Sequence, residues 1–453
     1  MKLSILAVGD DDQNIYRFRG ANVDFTRRFR EDYDAAIHYL VENYRSPAHI
    51  IEAANQFIAR NADRMKTDRP IVVNKARSAL PKGGNWQHID HLAAGRVQIL
   101  SVAGEEEQAA AVLQELKRLQ AVDARFSLAN TAILVREWHE LDPVRTCLEE
   151  EGIPVNLNWG KSALPSLTRI REYVAVLEYL RVNWEQNLRA GTLLQFLPQE
   201  QEGETIWQTH LRSLIDAWRE ETNDSLQPVP KVEEYLYESL ADQHRARHLS
   251  NGVFLSTVHS VKGLEFDHVF VLGGCWRQKS GSELEDERRL FYVAMTRARE
   301  TLQLLEIDTI TNPHTARLVG DFALRRRVQA SGGSCLSRKR YAILGMKALY
   351  LGYADRFFKD HPTHAALDSC RVGDQLNIAV RDEHIYLTGG QEQTVARLSQ
   401  AARDAWLPKI DSIVEIRVLA MVRWGREDVA EKTYADQCKC EVWEIPVCEV
   451  VYR

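Results

Sequence analysis

No stretch of the 453 residues approaches the roughly 20 apolar positions that a membrane-crossing helix requires. Cysteine is also sparse. Seven residues at irregular spacing give no disulfide framework, and the odd count predicts reduced thiols in a cytosolic compartment. Cys438-Lys439-Cys440 and Cys448 have no second ligand pair at zinc spacing, so they read as strand cysteines and no metal site is expected. An excess of positive charge is missing too: the net charge is −6. That excludes a protein coated in basic residues but leaves room for a basic groove on an acidic surface. Two further absences concern phosphate chemistry. The sequence holds no Gly-x4-Gly-Lys-Ser/Thr loop, and no apolar strand ends in the paired acids that hold Mg²⁺ and polarise water. The nearest approach, Gly160-Lys161-Ser162, has Val155 where the loop needs its first glycine, so its amides cannot curl around a phosphate. The start, Met1 to Val8, carries one lysine and a short apolar run ended by Gly9-Asp10-Asp11-Asp12. That is too short for a secretory signal, and the expected location is cytoplasmic, with no membrane partner.

What is present is ordinary soluble material, 45% hydrophobic and 27% charged, in a chain too long for one compact core. Its organising stretch is Val253–Glu300. A short apolar strand, Val253 to Thr257, leads into the loop Val258-His259-Ser260-Val261-Lys262-Gly263-Leu264-Glu265-Phe266. A second apolar run, His268 to Leu272, ends at Gly273-Gly274. Helical periodicity follows from Glu285 to Arg299, and then a strand from Thr301 to Ile307. Such alternation predicts a parallel sheet whose loops present polar groups at the strand carboxyl ends, where ligands of open α/β sheets bind.

Upstream, Leu3–Val8 has the composition of a buried parallel strand. It runs into Gly9-Asp10-Asp11-Asp12-Gln13-Asn14-Ile15-Tyr16-Arg17-Phe18-Arg19. Gln13, after a strand end, is a polar group aimed at a ligand edge. Tyr16 and Phe18 alternate with Arg17 and Arg19 as on surfaces that stack single-stranded bases, although from the residues alone a polar turn followed by core aromatics is the favoured reading. Ile37–Val41 is a strand candidate. Glu42-Asn43-Tyr44-Arg45-Ser46-Pro47 then opens a helix from about Ala48 to Asn61, with Ser46 as N-cap and Pro47 at the first helical position. Residues 66–96 form a basic, loop-rich excursion. Strands at 97–102, 131–135 and 153–155 alternate with helices at 105–119 and 141–150, and a helix is expected from Pro313 to Arg327.

Three phrases together resemble the UvrD/Rep/PcrA family of superfamily 1 helicases. They are the Gln13 segment, the Tyr44-Arg45 segment, and the pair Thr257–Phe266 with Glu287-Arg288-Arg289-Leu290-Phe291-Tyr292-Val293-Ala294-Met295-Thr296-Arg297-Ala298. The resemblance covers roughly residues 1–320 and the third to sixth motifs. The phosphate loop and the paired acids, which in that family precede the Gln13 motif, are absent. By this resemblance the catalytic contacts are Gln13, facing the γ-phosphate, and two arginine fingers, Arg45 and Arg297. Tyr44 would lie on adenine and Glu265 would hold the ribose. Tyr16, Phe18, Arg19, Thr257, His259 and Lys262 would contact DNA, with Phe18 standing where the family usually has tryptophan.

The resemblance therefore implies an α/β, RecA-like parallel sheet with helices on both faces, a reduced helical insertion and a small C-terminal β-rich domain. The expected division is 1–34 as a remnant of a first RecA-like domain, 35–157 with 251–328 as the second, and 158–250 as the helical insertion. A linker at 329–336 precedes the β-rich domain at 337–453, read as a partly open barrel. The implied function is the C-terminal motor half of an ATP-dependent, 3′-to-5′ DNA helicase. It would use ATP and Mg²⁺ only with an N-terminal half, fused or companion, and take single-stranded DNA as partner. The competing reading is a non-catalytic DNA-binding or regulatory remnant. The β-rich region shows no clean aromatic-basic platform in its sequence, and Gly352–Arg356 lacks the later acid-x-lysine strand of a nuclease.

Overall fold

The computed structural model describes residues 5–17, 24–157, 166–197, 204–246, 252–276, 279–310, 312–329, 338–390 and 392–453. They fall into two compact units, Met1–Asn158 with Asn251–Ser337, and Trp159–Ser250 with Arg338–Arg453.

The first unit is built on one seven-stranded, all-parallel sheet. Its strands are β1 (Val97–Val102), β2 (Thr131–Val135), β3 (Val155–Leu157), β4 (Val253–Thr257), β5 (Phe266–Val271), β6 (Ala298–Ile307) and β7 (Ala323–Arg327), in the order β7-β1-β6-β5-β2-β4-β3. β2 and β4 are buried at every position, as expected of strands covered on both faces. The longer helices of this unit among the described residues are α1 (Asp24–Tyr33), α2 (Ala48–Ile58), α3 (Glu105–Val122), α4 (Leu141–Glu150) and α5 (Gly281–Met295). α2 and α5 cover one face, with the Phe57 and Phe291 rings 5.2 Å apart over Val97, Leu134 and Val269. α3 and α4 cover the other, where Leu116 and Leu148 pack on Leu100, Ile133 and Leu255. Glu105, Glu106 and Glu107 occupy the first turn of α3, where the helix dipole favours them. The turn before β1 demands glycine. Gly95 has φ +67°, and a Cβ there would meet the Gly83 carbonyl oxygen at 2.1 Å.

Several local expectations change. Residues 5–8 form no strand and lie open to solvent, Leu6 at 88% and Val8 at 79% exposure, because no neighbouring strand in this unit offers them a ladder. Residues 37–41 are irregular, and only Glu42–Asn43 pairs, with Val72–Val73. Pro47 rather than Ser46 is the N-cap of α2. The Ser46 hydroxyl instead donates to the Ala298 carbonyl at 2.6 Å, tying the helix entry to β6. The predicted helix 313–327 ends as strand β7 on the sheet edge. There Arg325 meets Glu306 at 3.2 Å, Arg326 donates to Gln98 at 2.9 Å and pairs with Glu115, and Arg327 pairs with Asp308. Acids on β6, just after it and on α3 pair with three successive arginines held in extended backbone. Cys147 on α4 is disulfide-bonded, against the expectation of reduced thiols, whereas Cys275, Cys370, Cys438, Cys440 and Cys448 are free.

In the second unit, helices Arg171–Val182, Ile206–Thr222 and Val229–Ala246 share a core with two antiparallel three-stranded sheets. One sheet runs β8 (Arg340–Leu344), β13 (Val442–Tyr452), β12 (Ile413–Gly425). The other runs β9 (Asn377–Arg381), β10 (His384–Thr388), β11 (Thr394–Arg397). Trp207 is fully buried, donates its indole N–H to the Leu419 carbonyl at 2.7 Å, and belongs to the same core as Val418, Val422 and Trp443. Segments 158–250 and 337–453, expected as separate domains, thus bury one another's apolar faces, and two sheets stand where one partly open barrel was expected. Among the described residues no helix is long and apolar enough to cross a membrane.

Candidate functional site

Parallel strands decide where the sequence-predicted residues meet. β4 ends at Thr257 beside Val135, at the carboxyl edge of the sheet, and the next strand must start again at the amino edge. The connection 258–265 therefore traverses the sheet. It passes through a 3-10 turn at Val258–Val261 and turns at Gly263, where φ is +93°. Glu265 lands beside the start of β5, and Arg297 precedes the paired start of β6, where the Phe266 amide donates to the Arg297 carbonyl at 2.9 Å. The candidate phosphate-facing groups accordingly cluster at the strand amino ends, not at the carboxyl edge that the βα pattern predicts.

Arg297 is the centre of this cluster. It is 2% exposed, and its guanidinium donates to the Val293 carbonyl (3.0 Å), the Leu264 carbonyl (3.0 Å) and Gln13 Oε1 (3.2 Å). Burial, and then the neighbouring Arg45, push its pKa down to about 10, so it is cationic at neutral pH. Gln13 in turn donates to Asp10 at 3.0 Å. Arg45 donates through Nε to Glu265 at 2.6 Å and through Nη1 to the Thr296 carbonyl at 2.9 Å. The backbone that presents it is shaped by Asn43, whose side-chain oxygen accepts the Arg45 and Ser46 amides at 3.0 and 2.8 Å. Tyr44 is 67% exposed and donates its hydroxyl to Glu42 at 2.9 Å. Four predicted residues, Gln13, Arg45, Glu265 and Arg297, therefore form one connected group, with Tyr44 next to it in sequence and open to solvent.

The predicted nucleic-acid residues form a second group adjoining the first. The Tyr16 hydroxyl donates to the His259 carbonyl at 2.7 Å, and Lys262 Nζ lies 5.5 Å from the centre of the Tyr16 ring. Burial, and then Arg297, lower the Lys262 pKa, while Asp10 opposes the shift. Thr257 is buried, with its hydroxyl 3.4 Å from that of Ser260. Phe18 and Arg19 lie outside the described residues.

Sequence reading missed the residues that hold the Gln13 segment in place. Arg64 grips Asp12 through two bonds of 2.7 and 2.8 Å, Lys66 pairs with Asp10 at 2.7 Å, and the Met65 amide donates to Asp11. The available signal was complementary charge: Arg64 and Lys66 are the cations that three consecutive aspartates need. Arg299, 3.8 Å from Glu265, and Arg77, which donates to the Arg45 carbonyl, were also missed.

The first unit is thus a parallel α/β domain that gathers buried and half-buried arginines, a glutamine and a tyrosine–lysine pair. Comparison with known proteins gives the lineage. The model of the UvrD-like helicase C-terminal domain matches residues 38–187 and 192–308, and that of the UvrD/REP helicase N-terminal domain matches residues 2–34. The chain belongs to the UvrD-like helicase family. It is 25% identical over 412 residues to the ATP-dependent DNA helicase PcrA of Staphylococcus epidermidis, covering 70% of this chain and 52% of that protein. It is 29% identical over 387 residues to DNA helicase II of Escherichia coli, covering 70% and 53%. With the ATP-dependent DNA helicase UvrD2 of Mycobacterium tuberculosis the identity is 29% over 331 residues, covering 66% and 43%. The chain spans about half the length of the curated relatives it matches.

Proposed function

We propose that this chain is the C-terminal motor half of an ATP-dependent DNA helicase with 3′-to-5′ polarity. The observation that carries the reading is the contact between Gln13 and Arg297, which joins the third-motif segment to the sixth, with Arg45 beside both. In this reading Arg45 and Arg297 stabilise negative charge on a nucleoside triphosphate, and Gln13 passes the state of that site to Tyr16 and Lys262. Arginine suits the task because its planar fork matches phosphate oxygens and its charge survives burial. Tyr44 supplies an exposed ring for adenine, and Glu265 exchanges Arg45 for a ribose hydroxyl. Tyr16, Thr257, His259 and Lys262 contact single-stranded DNA, with Phe18 and Arg19 continuing that track.

ATP with Mg²⁺ supplies the free energy for such a motor, and the residues present suit only part of it. The arginines match a polyphosphate. The aspartate cluster found among the described residues does not match Mg²⁺, because Asp10 and Asp12 are paired with Lys66 and Arg64 and Asp11 accepts the Met65 amide. Hydrolysis therefore requires a phosphate loop and paired acids from a further region or companion polypeptide, and the working compartment is the cytoplasm. The second reading, a non-catalytic DNA-binding remnant, draws on the way Arg45 and Glu265 pair with each other.

The test is ATP turnover by this chain with single-stranded DNA. The expected result is DNA binding without turnover. Robust turnover abolished by Arg297→Ala would overturn the incompleteness, and failure to bind single-stranded DNA at low salt would overturn the motor reading.

A further inference from the structure

The second unit holds a cluster of cations and rings that the helicase motifs do not touch. Tyr350 follows Leu349, which bridges to Leu398, and its amide donates to the Arg397 carbonyl at 2.8 Å. This brings the Arg397 guanidinium 4.0 Å from the centre of the Tyr350 ring. Arg356 approaches the same ring at 5.1 Å and the Tyr353 ring at 5.6 Å. Neither arginine has an ion pair or side-chain hydrogen bond among the described residues, and the buried Nε of each is without an acceptor. The nearest acid in sequence, Asp355, is engaged by the thiol of Cys438 at 3.6 Å. A guanidinium is a fork of five donors, so two of them held on one ring, with no ion pair among the described residues, can take an anion.

Rings continue away from these arginines. His384, Tyr386, Tyr353, Phe357 and His361 form an unbroken line of contacts with centroid separations of 4.1–6.3 Å. Tyr386 stands opposite Arg397 in the β10–β11 register, which sets the line beside the cations. At its far end a cleft of about 360 Å³ is lined by Arg356, Phe357, Phe358, His361, Pro362 and Lys439, with Asp360 as its one acid. Phe358 is 62% exposed, with Lys439 Nζ 5.2 Å from its ring centre. Between Arg338 and His361 the sequence has six Lys/Arg against two Asp, in a chain whose net charge is −6.

We infer that this surface of the second unit is a further binding site for single-stranded nucleic acid. A base stacks on Phe358, and phosphates are taken by Arg356, Arg397 and Lys439. An exposed ring beside three cations matches a chain that repeats a base and a phosphate at every step, which an isolated anion or an acidic peptide does not. The site is separate from the Tyr16–Lys262 group and stands whether or not the chain is a motor half.

The test uses the full chain and a fluorescein-labelled oligothymidylate of about 20 nucleotides, read by fluorescence anisotropy across a salt series. Loss of two phosphate contacts in Arg356→Ala/Arg397→Ala is expected to weaken binding at least tenfold and to lower the salt slope by about 1.4, at roughly 0.7 per contact on a single strand. Phe358→Ala, at an exposed position where truncation spares the fold, is expected to weaken binding five- to hundredfold, the range for one stacked base. Arg356→Lys/Arg397→Lys restores most of the salt slope. A 5-iodouracil oligonucleotide crosslinks to the peptide holding Phe358. Unchanged affinity in Phe358→Ala, or crosslinks confined to residues 5–17 and 252–266, would overturn the inference. So would inorganic polyphosphate competing as well per charge as oligothymidylate, which would leave an anion site without base stacking. If Lys262→Ala alone abolishes binding, this inference fails while the helicase reading stands.

Discussion

His268 and His314 are buried in the first unit and held neutral by it. The His268 ring lies against Trp86 and Phe126 with Nδ1 2.9 Å from the Thr301 hydroxyl, and burial lowers its pKa from 6.5 to about 4. His314 is 1% exposed, among Phe57, Trp276 and Phe291 at 5.0–5.6 Å, and its Nε2 has no hydrogen-bond partner. Burial, followed by Arg288 and Arg60, lowers its pKa to about 3. Both folded values lie below the unfolded one, so the unfolded chain binds more protons as pH falls through 6.5. Their contribution to stability is complete above that pH and is lost progressively toward the folded values. At about pH 5 each neutral histidine costs the fold about 2 kcal/mol by linkage, about 4 kcal/mol for the pair.

His314→Phe removes one of these titrations from a site already lined with rings. Urea unfolding followed by fluorescence at about pH 7.5 and about pH 5 gives the loss for each protein, and other titrating groups cancel in the comparison. The loss in His314→Phe is expected to be smaller than in the wild type by about 2 kcal/mol. Equal losses would refute the assignment. Because Phe291 lies on α5, which leads into Arg297, the same acid step is expected to loosen the Gln13–Arg297 contact.

Glu115 is buried and accepts from Gln98 at 2.6 Å, Arg118 at 2.6 Å and Arg326, so Glu115→Ala leaves Arg118 only its pair with Asp90 and Arg326 only its bond to Gln98. The expected loss is about 1–3 kcal/mol, measured by thermal unfolding, with Glu115→Gln losing less. Trp207→Phe removes the indole bond to Leu419 and leaves a buried carbonyl unsatisfied, an expected cost of about 1–3 kcal/mol. A helical segment 159–250 that unfolds in this variant while β12 and β13 keep their hydrogen-exchange protection would contradict the shared core. Lys262→Ala is expected to weaken single-strand binding at every sequence alike and to lower the salt slope by about 0.7. A sequence-dependent loss would mean that Lys262 reads bases instead.

Much of the first unit was legible. β1, β2, β4 and β5 are short, mostly apolar and mostly buried runs because a parallel strand covered on both faces has little polar side to show. The exceptions are places where a partner outvoted local pattern. Arg325–Arg327 was expected as the end of a helix but extends along β1 to reach Glu306, Glu115 and Asp308. Leu3–Val8 has strand composition, yet residues 5–8 find no ladder in the first unit. Gln13, Arg45, Glu265 and Arg297 were all named from motif phrases, but their pairing across up to 284 residues was not, since spacing along a chain says nothing about which loops a sheet brings together.

The sequence by itself determined the alternation of strand and helix, the helicase phrases and their residues, and the lack of a phosphate loop. These depend on local composition and on short runs of fixed order. Tertiary structure alone decided three other matters. It placed the arginine cluster at the strand amino ends, because a loop between parallel strands must cross the sheet. It merged two remote segments into one core, because each had an apolar face and neither could bury it alone. It also brought Arg397 onto Tyr350 from 47 residues away, making a platform of residues that are unremarkable in order and acquire meaning only as neighbours.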